Sequence, residues 1–95
     1  MTDNAARYTL IITPTARRPL AQHLPEVVAF AAHEFIVGAL LDNPQRVGKR
    51  LHVPFEDCHS ARRGTYRVLY RIEDAERTVA VIDIAHRRDA YRTNR

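Results

Sequence analysis

The pattern of hydrophobic positions predicts four strands. Residues 8–13 are rich in β-branched and aromatic side chains, and residues 58–63 can form a shorter, irregular strand. Residues 66–72 alternate between apolar and basic side chains, which is typical of a strand with one buried face. A polar turn at residues 73–76 then joins this strand to a β-branched run at residues 78–85. The alternation places Tyr66, Val68 and Tyr70 on one face of this strand, and Arg67, Leu69 and Arg71 on the other.

Prolines predict two helices between the first and second strands. Thr13 offers an N-cap with proline at the first helical position, and Pro19 would end or kink this short helix. Pro25 begins a longer helix, which Asn43 and the following proline end. The side chains expected on its buried face are Val27, Phe30, Ala31, Phe35 and Leu41. The predicted fold class is therefore α+β, with two helices in the N-terminal half packed on a small, mostly antiparallel four-stranded sheet.

Length and composition predict one domain over residues 1–95, with 45% hydrophobic and 27% charged residues. The longest apolar stretch, residues 27–41, is interrupted by His33 and Glu34, which argues against a membrane span. The N-terminus shows no basic region followed by an apolar segment, so no signal peptide is expected. Cys58 is the single cysteine and cannot form an internal disulfide. These features favour a cytoplasmic protein.

Charge distinguishes the two halves of the chain. Fifteen basic and eleven acidic residues give a net charge of +4. Residues 1–42 contain three basic and four acidic residues, a net of −1, whereas residues 43–95 contain twelve basic and seven acidic residues, a net of +5. All the basic residues except Lys49 are arginine, which suits bidentate contact with phosphate. A polyanionic partner and an arginine-rich composition inherited from a GC-rich genome explain this charge equally well.

Three basic segments contain the candidate functional residues: residues 46–51, residues 59–67 and residues 86–92. The candidate RNA and phosphate ligands are Lys49, Arg50, Arg62, Arg63 and Arg87. Taken singly, the segments are also consistent with a solvated loop, an exposed sheet face and a polar tail. In an unbroken strand Arg63 would share a face with Arg67, although a bulge at Gly64 could break that register. No metal-ligand spacing and no glycine-rich phosphate loop is present, so no metal and no cofactor is expected.

Together the segments predict a place where RNA could be held and cut through its 2′-hydroxyl. That reaction needs a base, cations for the phosphorane charge and a donor for the leaving oxygen. Arginine cannot be the base, whereas His86 can titrate near neutrality and His59 is the alternative. Arg67 would stabilise the phosphorane, and Tyr91 could stack on a base or orient the leaving group.

The order of three motifs resembles the RelE/ParE superfamily of bacterial toxins, most of all its actinobacterial RelE branch. They are R-V-G-K-R-L at residues 46–51, G-T-Y-R-V-L-Y at residues 64–70 and H-R-R-D-A-Y at residues 86–91, and the resemblance extends over residues 8–92. It implies a toxin of a type II toxin–antitoxin pair with a RelE-like fold. RelE-like toxins enter the ribosomal A site and cut mRNA there by 2′-hydroxyl attack, without a metal ion.

The resemblance also implies roles for individual residues. Arg67 matches the arginine that stabilises the transition state, Tyr91 matches the aromatic residue that stacks on the message, and Arg87 matches the arginine before it. In the best-studied branch two lysines lie on the preceding strand, but residues 58–62 contain none. The resemblance therefore leaves the base open between His86 and, if burial lowers its pKa, Lys49.

The resemblance implies four partners, and two alternative functions remain. An acidic, RelB-like antitoxin would wrap the basic face, the ribosome and mRNA would be the targets, and operator DNA would be bound only through the antitoxin. A ParE-like toxin would instead poison DNA gyrase without nuclease chemistry, and a degenerate member would only bind an antitoxin or RNA. Tyr91, after His86 and Arg87, favours the nuclease because the gyrase-directed branch usually lacks that aromatic residue.

Overall fold

A computed structural model of the protein describes residues 7–51 and 57–86. Its elements, in chain order, are β1 (Thr9–Ile12), α1 (Pro14–Arg18), a π-helical segment (Pro19–His23), α2 (Glu26–Phe35), a second π-helical segment (Ile36–Leu40), α3 (Pro44–Val47), β2 (Lys49–Arg50), β3 (Cys58–Arg63), β4 (Tyr66–Glu73), a 3-10 turn (Asp74–Glu76) and β5 (Thr78–His86). The four predicted strands are all present, and the second of them, β3, is regular over six residues. None of the helices within these residues has the length and apolar character needed to cross a membrane.

The strands form one five-stranded sheet in the order β1-β5-β4-β3-β2. The two central pairings, β4 with β5 and β3 with β4, are antiparallel, while β1 runs parallel to β5 along the edge. At the opposite edge β2 adds two residues within a segment that the sequence predicts as a loop. A two-residue strand is too short to show alternation, so pairing with β3 alone defines it.

Proline chemistry at the first helix follows the prediction. The Thr13 hydroxyl accepts a hydrogen bond from the Ala16 amide at 3.3 Å, and Pro14 occupies the first helical position. The α-helix ends at Arg18, and the chain continues from Pro19 as a π-helical segment. The missing amide and the bulk of the proline ring account for this change of helix type.

The predicted buried face of α2 is wrong in part. Val27 and Phe30 are 80% and 67% exposed, and Ala31 is exposed as well. By contrast, Ala32 is fully buried, as are Ile36 and Leu40 in the π-helical segment that follows. The true core face is therefore rotated by about one residue, or about 100°. This segment is apolar on more than one side, so its spacing fits either face. Contact with the sheet selects the one on which small and branched side chains fit.

The core lies between this helical layer and one face of the sheet. The predicted alternation of β4 is confirmed, because Tyr66, Val68 and Tyr70 are 8%, 0% and 0% exposed. They pack with Val79 and Val81 of β5 against the helical layer. We call this side the helix-covered face and the opposite side the open face.

Candidate nucleic-acid interface

The β3–β4 hairpin decides which arginines lie together. Its turn consists of Gly64 and one further residue, and Gly64 has a positive φ of 57°, which glycine adopts at little cost. Arg63 therefore pairs with Tyr66, and Arg62 pairs with Arg67. Because directly paired residues point to the same side of a sheet, Arg62 shares a face with Arg67 and Arg63 does not. The turn thus settles the register that the sequence leaves open at Gly64.

Three cations meet at one end of the open face. Arg67 pairs with Arg62, while Lys49 pairs with Ser60, which lies two positions from Arg62 along β3. All three cationic side chains are exposed, and none forms an ion pair with another residue in the described ranges. We call Lys49, Arg62 and Arg67 the cationic corner. Like charges directly opposite each other destabilise a sheet, so the Arg62–Arg67 pair favours an anion between them.

A fourth cation on the open face provides a contrast. Arg71 lies two rows from Arg67 on β4, and its Nε is 3.1 Å from a carboxylate oxygen of Glu73. Asp83, by contrast, lies nearer the corner, but its carboxylate accepts a hydrogen bond from the Ile84 amide at 2.9 Å. Glu73 is therefore paired with Arg71, and Asp83 forms no ion pair with the corner among the described residues, so three cations face one nearby carboxylate and the corner keeps an excess of positive charge.

Two of the predicted phosphate ligands lie on the helix-covered side. Arg50 pairs with His59, whose partner on β4 is the buried Tyr70. The guanidinium carbon of Arg63 lies 4.6 Å from the centre of the Phe35 ring, and its Nη2 donates to the carbonyl of Val47 at 3.5 Å. Arg63 thus fastens the hairpin to the helical layer instead of joining the corner.

A β-bulge determines the position of His86. Leu69 pairs with Asp83 but Tyr70 pairs with Val81, so Ile82 is an extra residue in β5. The extra residue reverses the alternation beyond it, and His86 pairs with Tyr66 on the helix-covered face while Ala85 occupies the position opposite Arg67. Strict alternation from Val81 would have placed His86 on the open face. The structure therefore does not bring His86 onto the face of Arg67, although it leaves the histidine at the same end of the sheet.

The other candidate bases are also displaced from the corner or exposed. The His59 ring stacks on Tyr70, with centroids 5.5 Å apart, and its buried Nδ1 has no hydrogen-bond partner. Burial lowers the pKa of His59, and the positive charge of Arg50 lowers it further. Lys49 is exposed, so the burial on which a role as base depends is absent. Lys49 remains suited to phosphate binding.

Ser60 is a neighbour of the cationic corner to which sequence reasoning assigned no role. It is half-buried on the open face, between Lys49 on β2 and Leu69 on β4. Only strand pairing reveals this, since serine has no periodicity of its own. Arg87 and Tyr91 lie outside the described residues. Within residues 7–51 and 57–86, no three histidine, cysteine or acidic side chains are grouped closely enough to hold a metal ion.

Comparison with known proteins identifies the class to which this fold and basic face belong. Residues 10–91 match the model of a family described as the ParE toxin of the type II toxin–antitoxin system parDE. The toxin RelE of Mycobacterium tuberculosis is 52% identical over 87 residues, which cover 92% of this chain and 89% of that toxin. The toxin RelG of the same organism is 48% identical over 85 residues, covering 90% and 97%. The chain is therefore a toxin of a type II toxin–antitoxin system.

Solved structures agree on the fold. A crystal structure of the toxin–antitoxin complex RelBE2 from Mycobacterium tuberculosis contains a chain with a TM-score of 0.82 and 47% identity, covering 85% of this chain and 99% of that one. The isolated Escherichia coli RelE toxin gives a TM-score of 0.69 at 23% identity, covering 92% and 94%, which shows a shared fold. This chain belongs to the RelE/ParE toxin superfamily and has the RelE-like fold that the sequence predicts.

Proposed function

We propose that this toxin is a ribosome-dependent endoribonuclease that cuts mRNA in the A site by attack of the 2′-hydroxyl. The cationic corner is the observation that supports this most directly. Lys49, Arg62 and Arg67 are exposed, have no carboxylate partner among the described residues, and lie close together on the face that no described helix covers. A phosphodiester supplies the anion that would relieve repulsion between the paired arginines. Relatives about half identical to this chain are the toxins RelE and RelG.

The proposal gives each cation a distinct task. Arg67 lies on the central strand β4, between Arg62 on β3 and Ala85 on β5. We assign to Arg67 the stabilisation of the charge that develops on the phosphorane. Arg62 and Lys49 both lie on the β3–β2 side of Arg67 and would hold neighbouring phosphates of the message. Their binding is electrostatic and should weaken as salt rises.

Proton transfer requires a different kind of side chain. His86 follows Ala85, the partner of Arg67, and ends β5 at the edge of the corner. We propose that it reaches the 2′-hydroxyl around the end of the strand and acts as general base. Tyr91 is proposed to stack on the message or orient the leaving oxygen, and Arg87 to bind phosphate. The proposal assigns the whole reaction to side chains, with neither a metal ion nor a cofactor.

The same basic face suits an antitoxin. One related structure is a RelBE2 toxin–antitoxin complex, and another is the intact Escherichia coli RelBE complex. We propose that an acidic RelB-like antitoxin neutralises this chain by covering the cationic corner, and that operator DNA is bound only through that antitoxin. Because ribosomes are the proposed target, the toxin would act in the cytoplasm.

Primer extension on a reporter mRNA tests the proposal. The chain is induced briefly in a bacterial host, and cuts are expected at in-frame codon positions. The cuts should vanish when translation is blocked, because the ribosome supplies the substrate geometry. Intact messages, together with inhibition of gyrase supercoiling by the purified chain, would refute the nuclease and favour the ParE-like alternative.

The two histidines provide a matched test of the base. His86→Gln should slow single-turnover cleavage on programmed ribosomes by at least about 100-fold, because general base catalysis contributes about that much. His59→Gln should leave the cleavage rate within about threefold of wild type, since His59 lies on the helix-covered face, where its ring stacks on Tyr70. Equal losses in both variants would exclude His86 as the specific base.

A further inference from the structure

We infer that Tyr70 is a positioning residue for the RNA site: its hydroxyl fixes residues 44–50 against the sheet and so sets Lys49 in the cationic corner. The importance given to Lys49 rests on the proposed function. The hydroxyl itself lies on the opposite, helix-covered face, so Tyr70 would act on RNA only through the segment that it holds. Neither composition nor motif spacing indicates this coupling.

The segment that carries Lys49 needs such support. β2 consists of two residues at the edge of the sheet, and its ladder is limited to the pairs Lys49 with Ser60 and Arg50 with His59. One further hydrogen bond runs from the Leu51 amide to the carbonyl of Cys58 at 2.9 Å. Short, exposed ladders open locally at low free energy. Lys49 would therefore be poorly placed if its own strand were the only restraint.

Tyr70 supplies the first part of that restraint. The residue is fully buried on β4, and its hydroxyl donates a 2.6 Å hydrogen bond to the carbonyl of Pro44, the first residue of α3. Pro44 is itself fully buried. A buried hydroxyl and a buried carbonyl are costly to separate, because each would lose its partner without gaining water. Burial also raises the pKa of Tyr70 to about 12, so the hydroxyl keeps its proton and remains a donor.

Gly48 supplies the second part, immediately before Lys49. A Cβ at this position would overlap the Tyr70 hydroxyl and would lie 2.9 Å from the carbonyl oxygen of Ser60. The backbone at Gly48 is extended, with φ of −133°, so space and not conformation requires glycine. Glycine therefore lets the backbone before Lys49 pack directly against the Tyr70 hydroxyl and the β3 backbone. The same hydroxyl thus contacts residues 44–50 at two places, at the carbonyl of Pro44 and at Gly48.

Tyr66 provides a matched control. It lies on the same strand and the same face, is 8% exposed, and donates its hydroxyl to the carbonyl of Ala31 at 3.3 Å. That carbonyl belongs to α2, which does not carry Lys49. Tyr70→Phe and Tyr66→Phe therefore each remove one buried tyrosine hydroxyl while keeping the ring, but they release different segments.

Amide hydrogen exchange measures the restraint directly in the full chain. In Tyr70→Phe the Leu51 amide should exchange about tenfold faster, in keeping with the loss of one hydrogen bond, and in Tyr66→Phe its rate should change less than about twofold. Gly48→Ala should also speed this exchange, and by less in the Tyr70→Phe background, where the overlapping hydroxyl is gone. An unchanged Leu51 rate in Tyr70→Phe would overturn the inference.

Cleavage on programmed ribosomes then separates positioning from general loss of structure. Tyr70→Phe should raise KM by about fivefold to tenfold with kcat within about twofold, since a misplaced lysine weakens binding and not chemistry. Fewer folded molecules would instead lower the apparent kcat. Tyr66→Phe should leave KM unchanged. An unchanged KM in Tyr70→Phe despite faster Leu51 exchange would refute the link to RNA. A wild-type chain that cuts no message would refute the proposed function, while Leu51 exchange would still decide whether Tyr70 holds β2.

Discussion

The two faces of the sheet differ in whether their polar and charged side chains have partners. On the helix-covered face, the polar groups of the tyrosines are paired, as in Tyr70 with Pro44 and Tyr66 with Ala31. On the open face, Arg62 and Arg67 lie directly opposite each other, and no carboxylate of residues 7–51 or 57–86 pairs with either of them. The contacts on the helix-covered face therefore stabilise the fold, whereas the open face retains repulsion between like charges. Such a local penalty is typical of a binding site that is completed by its ligand.

This contrast has a consequence for mutations. Successive residues of β4 alternate between the faces, so adjacent substitutions should affect different properties. Changes on the open face should reduce cleavage and preserve the free energy of unfolding. Changes on the helix-covered face, apart from those at His86 and Tyr70, should do the reverse, once activity is expressed per folded molecule.

The largest expected effect is that of Arg67→Ala. Loss of a group that stabilises transition-state charge should slow cleavage by about 100-fold to 1,000-fold. The free energy of unfolding should stay within about 0.5 kcal/mol, because the side chain is exposed. Single-turnover cleavage and urea denaturation measure the two quantities. The urea denaturation curve serves as the control for folding, and retained toxicity would contradict the role of Arg67.

The next residue along β4 should show the opposite behaviour. Val68 is fully buried, and Val68→Ala should lower the free energy of unfolding by about 2 kcal/mol through lost burial and a small cavity. Cleavage per folded molecule should change less than about twofold. Denaturation curves give the folded fraction needed for that correction. A loss of specific activity as large as that of Arg67→Ala would show that the two faces are not separable.

Arg62 and Arg63 are adjacent in β3 but lie on opposite faces, so their substitutions compare the two faces through smaller effects. Arg62→Ala should reduce cleavage about tenfold through one lost phosphate contact and leave stability unchanged. Arg63→Ala should lower the free energy of unfolding by about 0.5–1 kcal/mol through loss of its contact with Phe35. Its cleavage should stay within about twofold. Comparable losses of activity in both variants would place Arg63 in the RNA site, as its position in the sequence alone suggests.

Sequence reasoning reached the fold because its main elements have strong local patterns. Alternation in β4 and proline chemistry around α1 both specify structure within a few residues. The buried face of α2 could not be predicted as well, because more than one of its sides is apolar. The short strand β2 was missed for a different reason, since only its partner β3 defines it. Local pattern thus specifies elements, and contact between elements specifies faces.

The candidate site was harder to predict because the register of strand pairing determines which side chains share a face of the sheet. The sequence identified basic residues, but the two-residue turn after Arg63 pairs Arg62, and not Arg63, with Arg67. One extra residue in β5 moves His86 to the helix-covered face. A single-residue change in register moves every later side chain to the other face. Gly64 indicates a turn or bulge without fixing its length, and the bulge in β5 has no distinctive motif, so side chains that share a segment could not be assigned to a common face. The motifs indicate the family to which the chain belongs, whereas the strand pairing determines the face on which each side chain lies.

The smallest effect expected concerns the pH dependence of stability through His59. Burial first, and then Arg50, lowers the pKa of His59 from its usual value of 6.5, so its protonation favours the unfolded chain. Its contribution to stability is complete above pH 6.5 and is lost as the pH falls through the lowered pKa. The urea midpoint should therefore fall between pH 7.5 and pH 5, and by less in His59→Gln. His33→Gln, at an exposed position on α2, should retain the full wild-type dependence. If His59→Gln and wild type lose stability equally on acidification, His59 does not couple the helix-covered face to pH.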